Sequence, residues 1–308
     1  MNTLHFKYAV EVEKTGSITQ AAENLFMGQP NLSKAIIELE DTLGFMIFER
    51  TSKGVIPTVK GTRFLAYAKN ILAQIEKMEA LADESISQSL SFAFSRSAYI
   101  AKAVSKFALS FNYSSKVHMN IRESASVALI NSVAAGAFNF GAVRYKLAHE
   151  KYFLDYMSDK DLDVIPFWEF DGMITMPKTY EKFDGELDER KLSDMTSIVY
   201  GDETIPYLSS GEIRKEPKFP KSNQTVSVYD RATANELLTS LPNAYMLTEP
   251  IPSAELDKYG LFQKKCRLPD ERFKDVLIFS KGYQFSASDK KFFDILTQIK
   301  NEMEFDLR

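Results

Sequence analysis

The sequence predicts an α/β protein made of a winged helix-turn-helix, one long helix and two α/β lobes. Three observations support this prediction. Two short helical patterns follow each other between residues 17 and 43. Apolar residues then recur at helical spacing from residue 59 to residue 87, without an interrupting proline. From residue 90 onward, apolar runs typical of strands alternate with helical patterns, which favours parallel βαβ units.

The composition is that of a folded protein with more than one domain. The chain has 308 residues, 44% of them hydrophobic, and a formal net charge of −4. This length suffices for two or three domains with their own cores. The only cysteine, Cys266, excludes an intramolecular disulfide and a multi-cysteine metal site. No apolar run could span a membrane, and Glu11 and Glu13 interrupt any signal-peptide pattern, so we expect a cytoplasmic protein.

The stretch that begins at Ser17 has the features of a helix-turn-helix. Ser17 and, three residues later, Gln20 have the form of a capping box, which starts a helix. Gly28 permits a turn, and Pro30 suits the first turn of a second helix because its missing N–H costs nothing there. The second helix then has an apolar stripe at Leu32, Ile36 and Leu39, with polar residues facing outward. Two packed helices of an ordinary bundle are the alternative.

A predicted wing follows the second helix and argues against that alternative. The helix ends at Gly44, and residues 45–50 read as a strand. Residues 51–55 form a hairpin tip that contains a glycine, and the chain returns through residues 56–58. In a helix-turn-helix the second helix enters the DNA major groove. Arg50 and Lys53 of the wing are placed to meet phosphates beside that groove.

With these residues in view, the chain resembles the LysR-type transcriptional regulators. The resemblance covers the first quarter of the chain without a gap, whereas the rest resembles the family in length and element order. The residues of the family pattern are Phe6, Gly16, Ser17, Ala21, Ala22, Leu25, Gln29, Pro30, Leu32, Ser33, Leu39, Glu40, Leu43, Gly44, Phe48, Glu49, Arg50, Thr58 and Gly61.

The resemblance implies a domain layout. Residues 1–58 would form the DNA-binding domain and residues 59–89 a dimerising linker helix. Residues 90–161 and 267–308 would form the first lobe of an effector domain, and residues 162–266 the second lobe. The two crossings between the lobes are expected near Asp161 and Cys266. Two lobes joined in this way resemble type 2 periplasmic binding proteins.

The family resemblance also implies which side chains contact double-stranded DNA. These are Gln29, Pro30, Asn31, Ser33 and Lys34 on the second helix, with Arg50 and Lys53 on the wing. A glutamine can pair bidentately with adenine, and a lysine can reach the acceptors of guanine. Lys34 stands where the family commonly has arginine, and Glu38 where basic residues are frequent. Ile37 is either a contact for a thymine methyl group or a packing residue.

The predicted linker helix is about 40 Å long at roughly 1.5 Å per residue. Its apolar residues follow a largely three-four rhythm, which is typical of a coiled-coil seam. They are Phe64, Leu65, Ala68, Ile71, Leu72, Ile75, Met78, Ala82 and Ile86. Such a helix packs either on its own domain or against a second copy. The resemblance implies a homodimer through this helix and, further, a homotetramer.

Polar side chains at the ends of the predicted strands indicate where a small-molecule effector would bind. In open α/β sheets, ligands bind at the carboxyl ends of strands, where helix N-termini offer free N–H groups. The residues at these ends are Ser95, Arg96, Ser97, Ser124, Ser126 and Arg144 in the first lobe, and Tyr200, Asp202, Tyr229 and Thr248 in the second. Hydroxyls and two arginines suit a small carboxylate or another anion. Each serine could instead be a plain helix cap, and Arg144 could pair with Glu123.

These observations together predict a sequence-specific DNA-binding regulator that responds to a small-molecule effector. An enzyme on the α/β lobes is the first alternative, but G-x-S-x-G, G-x-G-x-x-G, P-loop and metal-ligand spacings do not occur. We therefore expect no catalytic residue, metal or cofactor. A winged-helix interaction protein with little base discrimination is the second alternative, because Lys34, Ile37 and Glu38 depart from the family pattern.

Overall fold

The computed structural model describes residues 2–51, 54–80, 86–111, 116–180, 189–209, 222–265 and 271–306. The chain divides into two compact units, residues 1–84 and residues 85–308, apart from the short stretch 135–137. We describe each unit by itself. Among the described helices, none combines the length and the apolar character needed to span a membrane.

Three helices and a small hairpin form the first part of the amino-terminal unit, and a fourth helix follows them. The helices are α1 (Thr3–Thr15), α2 (Ile18–Asn24) and α3 (Gln29–Leu43), and the hairpin pairs β1 (Phe48–Thr51) with β2 (Gly54–Pro57) in antiparallel register. The predicted stripe of Leu32, Ile36 and Leu39 is buried among residues of α1 and α2. The winged helix-turn-helix is confirmed.

The turn between α2 and α3 differs in detail from its prediction. Ser17 Oγ accepts a hydrogen bond from the backbone nitrogen of Gln20 at 3.3 Å, as expected of a helix cap. The Gln20 side chain, however, donates to Glu23 and Asn24, so the reciprocal half of the capping box does not form. Phe26, not Gly28, adopts the left-handed conformation, with a φ of 53°. Gly28 has a φ of −68°, and its role in permitting the turn was therefore predicted wrongly.

Helix α4 (Val59–Ala80) has two different apolar faces. Leu65, Ala68 and Leu72 are buried in the core that α4 shares with α1, so this part of the predicted seam packs on its own unit. Tyr67, Ile71 and Met78 form a second face that is exposed. The prediction that the helix continues to Ile86 was wrong, because Ile86 begins the strand that follows. Ala82 lies outside the described residues.

The larger unit contains two five-stranded sheets, each the centre of one lobe. The first sheet has the order β4-β3-β5-β12-β6. Its strands are β3 (Ile86–Ser95), β4 (Lys116–Ser124), β5 (Phe140–Lys146), β6 (Leu162–Asp171) and β12 (Arg272–Ser280). Strands β3, β4 and β5 are parallel, whereas β12 runs antiparallel to both β5 and β6. The helices of this lobe are α5 (Ala98–Leu109), α6 (Ser126–Ala134), α7 (Glu150–Ser158) and α11 (Ala287–Asp306).

The second sheet has the order β11-β7-β10-β8-β9. Its strands are β7 (Met173–Pro177), β8 (Thr196–Tyr200), β9 (Gln224–Val228), β10 (Ala244–Thr248) and β11 (Leu261–Lys265). The helices of this lobe are α8 (Glu189–Ser193), α9 (Arg231–Ser240) and α10 (Ser253–Tyr259). The two-lobed α/β architecture is confirmed.

The boundary between the lobes lies later in the chain than predicted. Strand β6, expected to open the second lobe, pairs along its length with β12 in the first sheet. The chain crosses at Gly172, whose backbone nitrogen donates to the carbonyl oxygen of Glu271 at 2.7 Å. Gly172 and Glu271 are therefore adjacent, and the prediction of a crossing near Asp161 was wrong because β6 has its hydrogen-bonding partner in the first lobe. The other predicted crossing, Cys266, lies outside the described residues.

Candidate functional site

The start of α3 presents the residues predicted to contact DNA. Gln29, Pro30, Asn31 and Lys34 are exposed, and Ser33 is half-buried. Because Leu32 and Ile36 anchor the opposite face in the core, these side chains share the outer surface of one helix. The polar outer face is therefore confirmed, whereas DNA contact by each residue stays a prediction.

Two neighbouring side chains modify this surface. Lys34 Nζ lies 3.8 Å from Glu38 Oε1 in an exposed i,i+4 pair, and such pairs contribute only about 0.3–0.5 kcal/mol. Ile37 is 52% exposed. It therefore does not pack in the core of its own unit, and an apolar group is available beside the polar residues. The side chain of Arg50 and all of Lys53 lie outside the described residues.

The buried carboxylate of Glu40 fixes the wing to α3. Its Oε1 accepts hydrogen bonds from the backbone nitrogens of Ile47 at 2.6 Å and Phe48 at 3.0 Å, immediately where β1 begins. Glu40 is only 6% exposed. Charge-assisted hydrogen bonds of this kind are stronger than neutral ones, so the recognition helix and the wing are held in one geometry.

In the larger unit, the predicted serines lie together and bond mainly to the protein itself. Ser95 Oγ lies 2.9 Å from Ser126 Oγ and accepts from the backbone nitrogen of Arg144 at 2.9 Å. Ser126 Oγ donates to the carbonyl oxygen of Arg144 at 2.6 Å. Ser97 is the N-cap of α5, which confirms the plain-cap alternative for this serine. Ser124 Oγ is buried without a hydrogen-bond partner within the described part of the chain.

The guanidinium of Arg144 has all of its N–H directions committed within the protein. Nε and Nη2 donate to the two carboxylate oxygens of Asp275 at 2.8 and 2.7 Å. Nη1 donates to Glu249 at 2.7 Å and to the carbonyl oxygen of Arg96 at 3.2 Å, and Nη2 also reaches Ser97 Oγ at 3.4 Å. Burial alone would lower the pKa of Arg144, but the two carboxylates raise it well above its usual value. Arg144 is therefore permanently charged and forms the centre of a cluster with Asp275 and Glu249. The alternative prediction, that Arg144 pairs with Glu123, was wrong.

Glu249 of the second lobe bonds to Arg144 and Ala98 of the first lobe and so joins the two lobes. It follows β10 of the second lobe, and its Oε1 accepts from the backbone nitrogen of Ala98, the first residue of α5 in the first lobe, at 2.7 Å. Its Oε2 lies 2.7 Å from Arg144 Nη1. A carboxylate at a helix N-terminus is stabilised by the free N–H groups and by the helix dipole.

Arg96 makes a second link between the lobes. Its Nη2 donates at 2.7 Å both to Asp202 Oδ2 and to the carbonyl oxygen of Tyr229. Its guanidinium carbon lies 4.3 Å from the centre of the Tyr200 ring, in cation–π geometry. Burial acts to lower the pKa of Arg96, but the hydrogen bond and charge of Asp202 raise it overall. The structure thus brings together four of the residues predicted from the sequence.

Glu123 and Arg231 form a third link. Arg231, the first residue of α9 in the second lobe, donates from Nε to Glu123 Oε1 at 2.8 Å. The same oxygen accepts from the backbone nitrogen of Ser97 at 3.0 Å. Each of the three links is an ion pair between an acidic residue of one lobe and a basic residue of the other. Moving the two lobes apart would therefore break these ion pairs.

Thr248 lies beside these links rather than within them. Its Oγ1 is 2.6 Å from Thr175 Oγ1 and accepts from Gln263 Nε2 at 2.9 Å. Gln263 also donates to the carbonyl oxygen of Glu249 at 2.8 Å and accepts from the backbone nitrogen of Ile251 at 2.9 Å. Gln263 is therefore a positioning residue for the segment that carries Glu249.

Comparisons with known proteins agree with this architecture. Residues 4–62 match the family model described as the bacterial regulatory helix-turn-helix protein of the lysR family. The nitrogen assimilation regulatory protein nac of Klebsiella aerogenes is 32% identical over 151 residues, which cover 47% of this chain and 49% of that protein. The HTH-type transcriptional regulator BenM of Acinetobacter baylyi is 37% identical over 81 residues, or 26% of this chain and 27% of that protein.

Solved structures extend the likeness of the fold to the whole chain. The crystal structure of CbnR, a LysR family transcriptional regulator, has a TM-score of 0.63 and 16% identity, covering 97% of this chain and 99% of that chain. CbnR complexed with its target DNA has the same TM-score and covers 98% of this chain. Residues 4–62 belong to the lysR family of bacterial regulatory helix-turn-helix proteins.

The protein spans about half or less of the curated relatives it matches in sequence, and the match to the family model lies in its amino-terminal part. The larger unit shares the fold of the CbnR structure at 16% identity, which is too low to transfer the role of any single residue. The roles of its polar residues therefore rest on the geometry above.

Several residues of this interlobe site were not identified from the sequence. Asp275 lies in the interior of an apolar strand, and Glu249, Arg231 and Gln263 lie in the second lobe at positions without a local motif. One pattern could have found Glu249, because it follows a predicted strand at the edge where the other candidates lie. Within the described residues, no group of three or more histidine, cysteine or acidic residues is placed to hold a metal ion.

Proposed function

We propose that this protein is a LysR-type, sequence-specific DNA-binding transcriptional regulator whose activity responds to a small-molecule effector bound between the two lobes. The observation that carries the proposal is the coincidence of the family model, residues 4–62, with a well-formed helix-turn-helix that exposes the start of α3. Such a protein would act in the cytoplasm on double-stranded DNA.

In the proposed complex, the amino-terminal part of α3 enters the major groove. Gln29 would pair with adenine through its amide, and Lys34 would reach guanine acceptors as a point charge. Ile37, because it is exposed, would contact a thymine methyl group. Arg50 and Lys53 would contact phosphates. Glu38 beside Lys34 would lower the attraction for phosphate, so base contacts carry a larger share of the affinity.

We propose dimerisation through the exposed face of α4. Tyr67 is 64%, Ile71 42% and Met78 68% exposed, and their spacing of four and seven residues aligns them on one side of the helix. A second copy of α4 would bury this face and place two recognition helices on the half-sites of an interrupted inverted repeat. Two such dimers would form the homotetramer.

Effector response would arise at the three ion-pair links between the lobes. A ligand shifts a conformational equilibrium only by its differential affinity for the two states. An effector that binds between the lobes could strengthen or replace the ion pairs Arg96–Asp202 or Glu123–Arg231. It would then change the fraction of molecules in which the two lobes are closed on each other. The CbnR and BenM relatives are regulators by name, which supports this reading but identifies no effector for this chain.

The decisive experiment is fluorescence-anisotropy binding to the DNA that flanks the protein's own gene, with scrambled DNA of equal length, over a salt series. We expect tight binding to the flanking DNA. The logarithm of the association constant should fall linearly with the logarithm of the salt concentration, with a slope of about −0.9 for each phosphate neutralised. The double variant Gln29→Ala, Lys34→Ala should lose the preference for the flanking DNA. Lys258→Ala removes an exposed lysine from the larger unit and serves as the matched control.

Other outcomes identify the alternatives. Equal and weak binding to both DNAs, with dimerisation retained, would support a winged-helix interaction protein with little base discrimination. Chemical turnover of a bound effector would instead support an enzyme on the α/β lobes.

A further inference from the structure

Two N–H donors of the first lobe, the backbone nitrogen of Ala98 and Nη1 of Arg144, are directed at one carboxylate. Ala98 is the first residue of the twelve-residue helix α5, so its backbone N–H has no partner inside the helix. Arg144 directs Nη1 to the same place, with its other N–H groups committed to Asp275, Arg96 and Ser97. One amide and one guanidinium nitrogen thus offer a donor to each oxygen of a carboxylate.

That site is filled by a side chain of the second lobe. Glu249 places Oε1 2.7 Å from the Ala98 nitrogen and Oε2 2.7 Å from Arg144 Nη1. The residue is 7% exposed, so solvent scarcely reaches it. A carboxylate ligand would need the same two donors, and it would have to displace Glu249 to bind them.

The backbone that carries Glu249 is held in place from two sides. Gln263 Nε2 donates to the Glu249 carbonyl oxygen, and Gln263 Oε1 accepts from the nitrogen of Ile251. Pro250 and Pro252 each have φ fixed by their ring, and each restricts the backbone of the residue before it, Glu249 and Ile251. The glutamate is therefore presented to the first lobe by a rigid segment rather than by a mobile loop.

We propose that Glu249 is a built-in anionic ligand, which fills the carboxylate site at the start of α5 and closes the lobes in the absence of any bound carboxylate. An effector at this position would act by competing with Glu249, and free small carboxylates are excluded from it in the closed state. The inference goes beyond the proposed function and rests on the interlobe geometry, whether or not the protein binds DNA.

Thermal unfolding of the full chain in acetate tests the proposal. Glu249→Ala removes a CH₂–COO⁻ group, and acetate has the same heavy atoms. We expect the Tm of Glu249→Ala to rise with acetate to a plateau, with no rise in acetamide or in sodium chloride of equal ionic strength. Wild type should not respond to acetate beyond the sodium chloride effect. Glu236→Ala, which removes an exposed carboxylate from α9, should behave as the wild type.

Two results would overturn the proposal. One is an equal acetate response in wild type and Glu249→Ala, since the site would then be open in the native protein. The other is an equal rise in the Tm of Glu249→Ala in acetate and in acetamide, since the stabilisation would then not depend on the carboxylate charge. If Glu249→Ala does not fold, Glu249→Gln keeps the shape without the charge and must lower the Tm by more than Glu236→Gln does. An unchanged Tm in Glu249→Gln would contradict a role for the charge.

Discussion

Arg144 and Asp275 lie directly opposite each other on the antiparallel strands β5 and β12. Their side chains form a two-point ion pair, with Nε to Oδ1 at 2.8 Å and Nη2 to Oδ2 at 2.7 Å. Asp275 is 1% exposed and also accepts the Tyr99 hydroxyl at 2.6 Å. This pair orients the guanidinium so that its remaining nitrogen points at the second lobe, and the carboxylate of Glu249 meets it there.

Removing the charge of Asp275 should therefore be costly. Asp275→Asn leaves Arg144 buried with one carboxylate partner, and loss of one member of a buried pair typically costs about 3–5 kcal/mol. We expect the free energy of unfolding, from chemical denaturation, to fall by this amount. Asp294→Asn, on the exposed side of α11, is the control and should stay within about 0.5 kcal/mol of wild type. Similar losses in the two variants would show that the pair does not stabilise the fold.

Tyr99 should make the protein sensitive to alkaline pH. Burial first, and the charge of Asp275 second, raise the pKa of Tyr99 well above its usual value near 10. The folded state keeps this hydroxyl neutral, whereas the unfolded chain ionises it. The contribution of Tyr99 to stability is thus fully present below about pH 10 and is lost as the pH rises above that value.

Denaturation series between pH 8 and 11 on wild type and Tyr99→Phe measure this effect. The variant should be less stable at pH 8 by about 1–3 kcal/mol, because Asp275 loses a buried donor. The difference between the two proteins should then shrink as the pH rises above 10. A constant difference across the series would mean that the Tyr99 hydroxyl titrates alike in the folded and unfolded states.

Glu40 should determine whether the wing stays attached to α3. Glu40→Ala leaves the backbone nitrogens of Ile47 and Phe48 without their acceptor, at about 1–3 kcal/mol for each buried donor. We expect lower stability and faster amide hydrogen exchange at Ile47 and Phe48. Asp41→Ala changes an exposed carboxylate on the same helix and should leave both measurements near their wild-type values. Unchanged exchange in Glu40→Ala would rule out this anchoring role.

The exposed face of α4 should control self-association. Tyr67→Glu with Ile71→Glu places two charges on the face proposed to meet a second copy, and buried unpaired charges are strongly unfavourable. Sedimentation velocity should show a smaller species than wild type. Ala66→Glu adds a charge to an exposed position on another side of the helix and should leave the assembly unchanged. If the double variant sediments as wild type, the copies associate elsewhere.

The amino-terminal unit was predictable from the sequence because its contacts are local. Capping at Ser17, the stripe from Leu32 to Leu39 and the hairpin after Gly44 each depend on residues within a few positions, and each is present in the structure. The details that failed depend on backbone conformation and on packing partners. Phe26 rather than Gly28 takes the left-handed position, and of the two alternatives left open for the apolar residues of α4, Leu65 follows packing within its own unit.

In the larger unit, the sequence determined the alternation of strands and helices and the strand ends where polar groups collect. Only the tertiary structure decided which of these polar groups pair with one another. β6 joins the first sheet because β12, more than a hundred residues later, is its partner. Arg144 meets Asp275 and Glu249 for the same reason, since long-range pairing brings them together and burial makes each charge require a partner. Local sequence patterns do not predict such long-range pairings. From the sequence alone, Arg144 was therefore predicted to be available for a ligand, whereas in the folded protein Asp275 and Glu249 occupy its guanidinium.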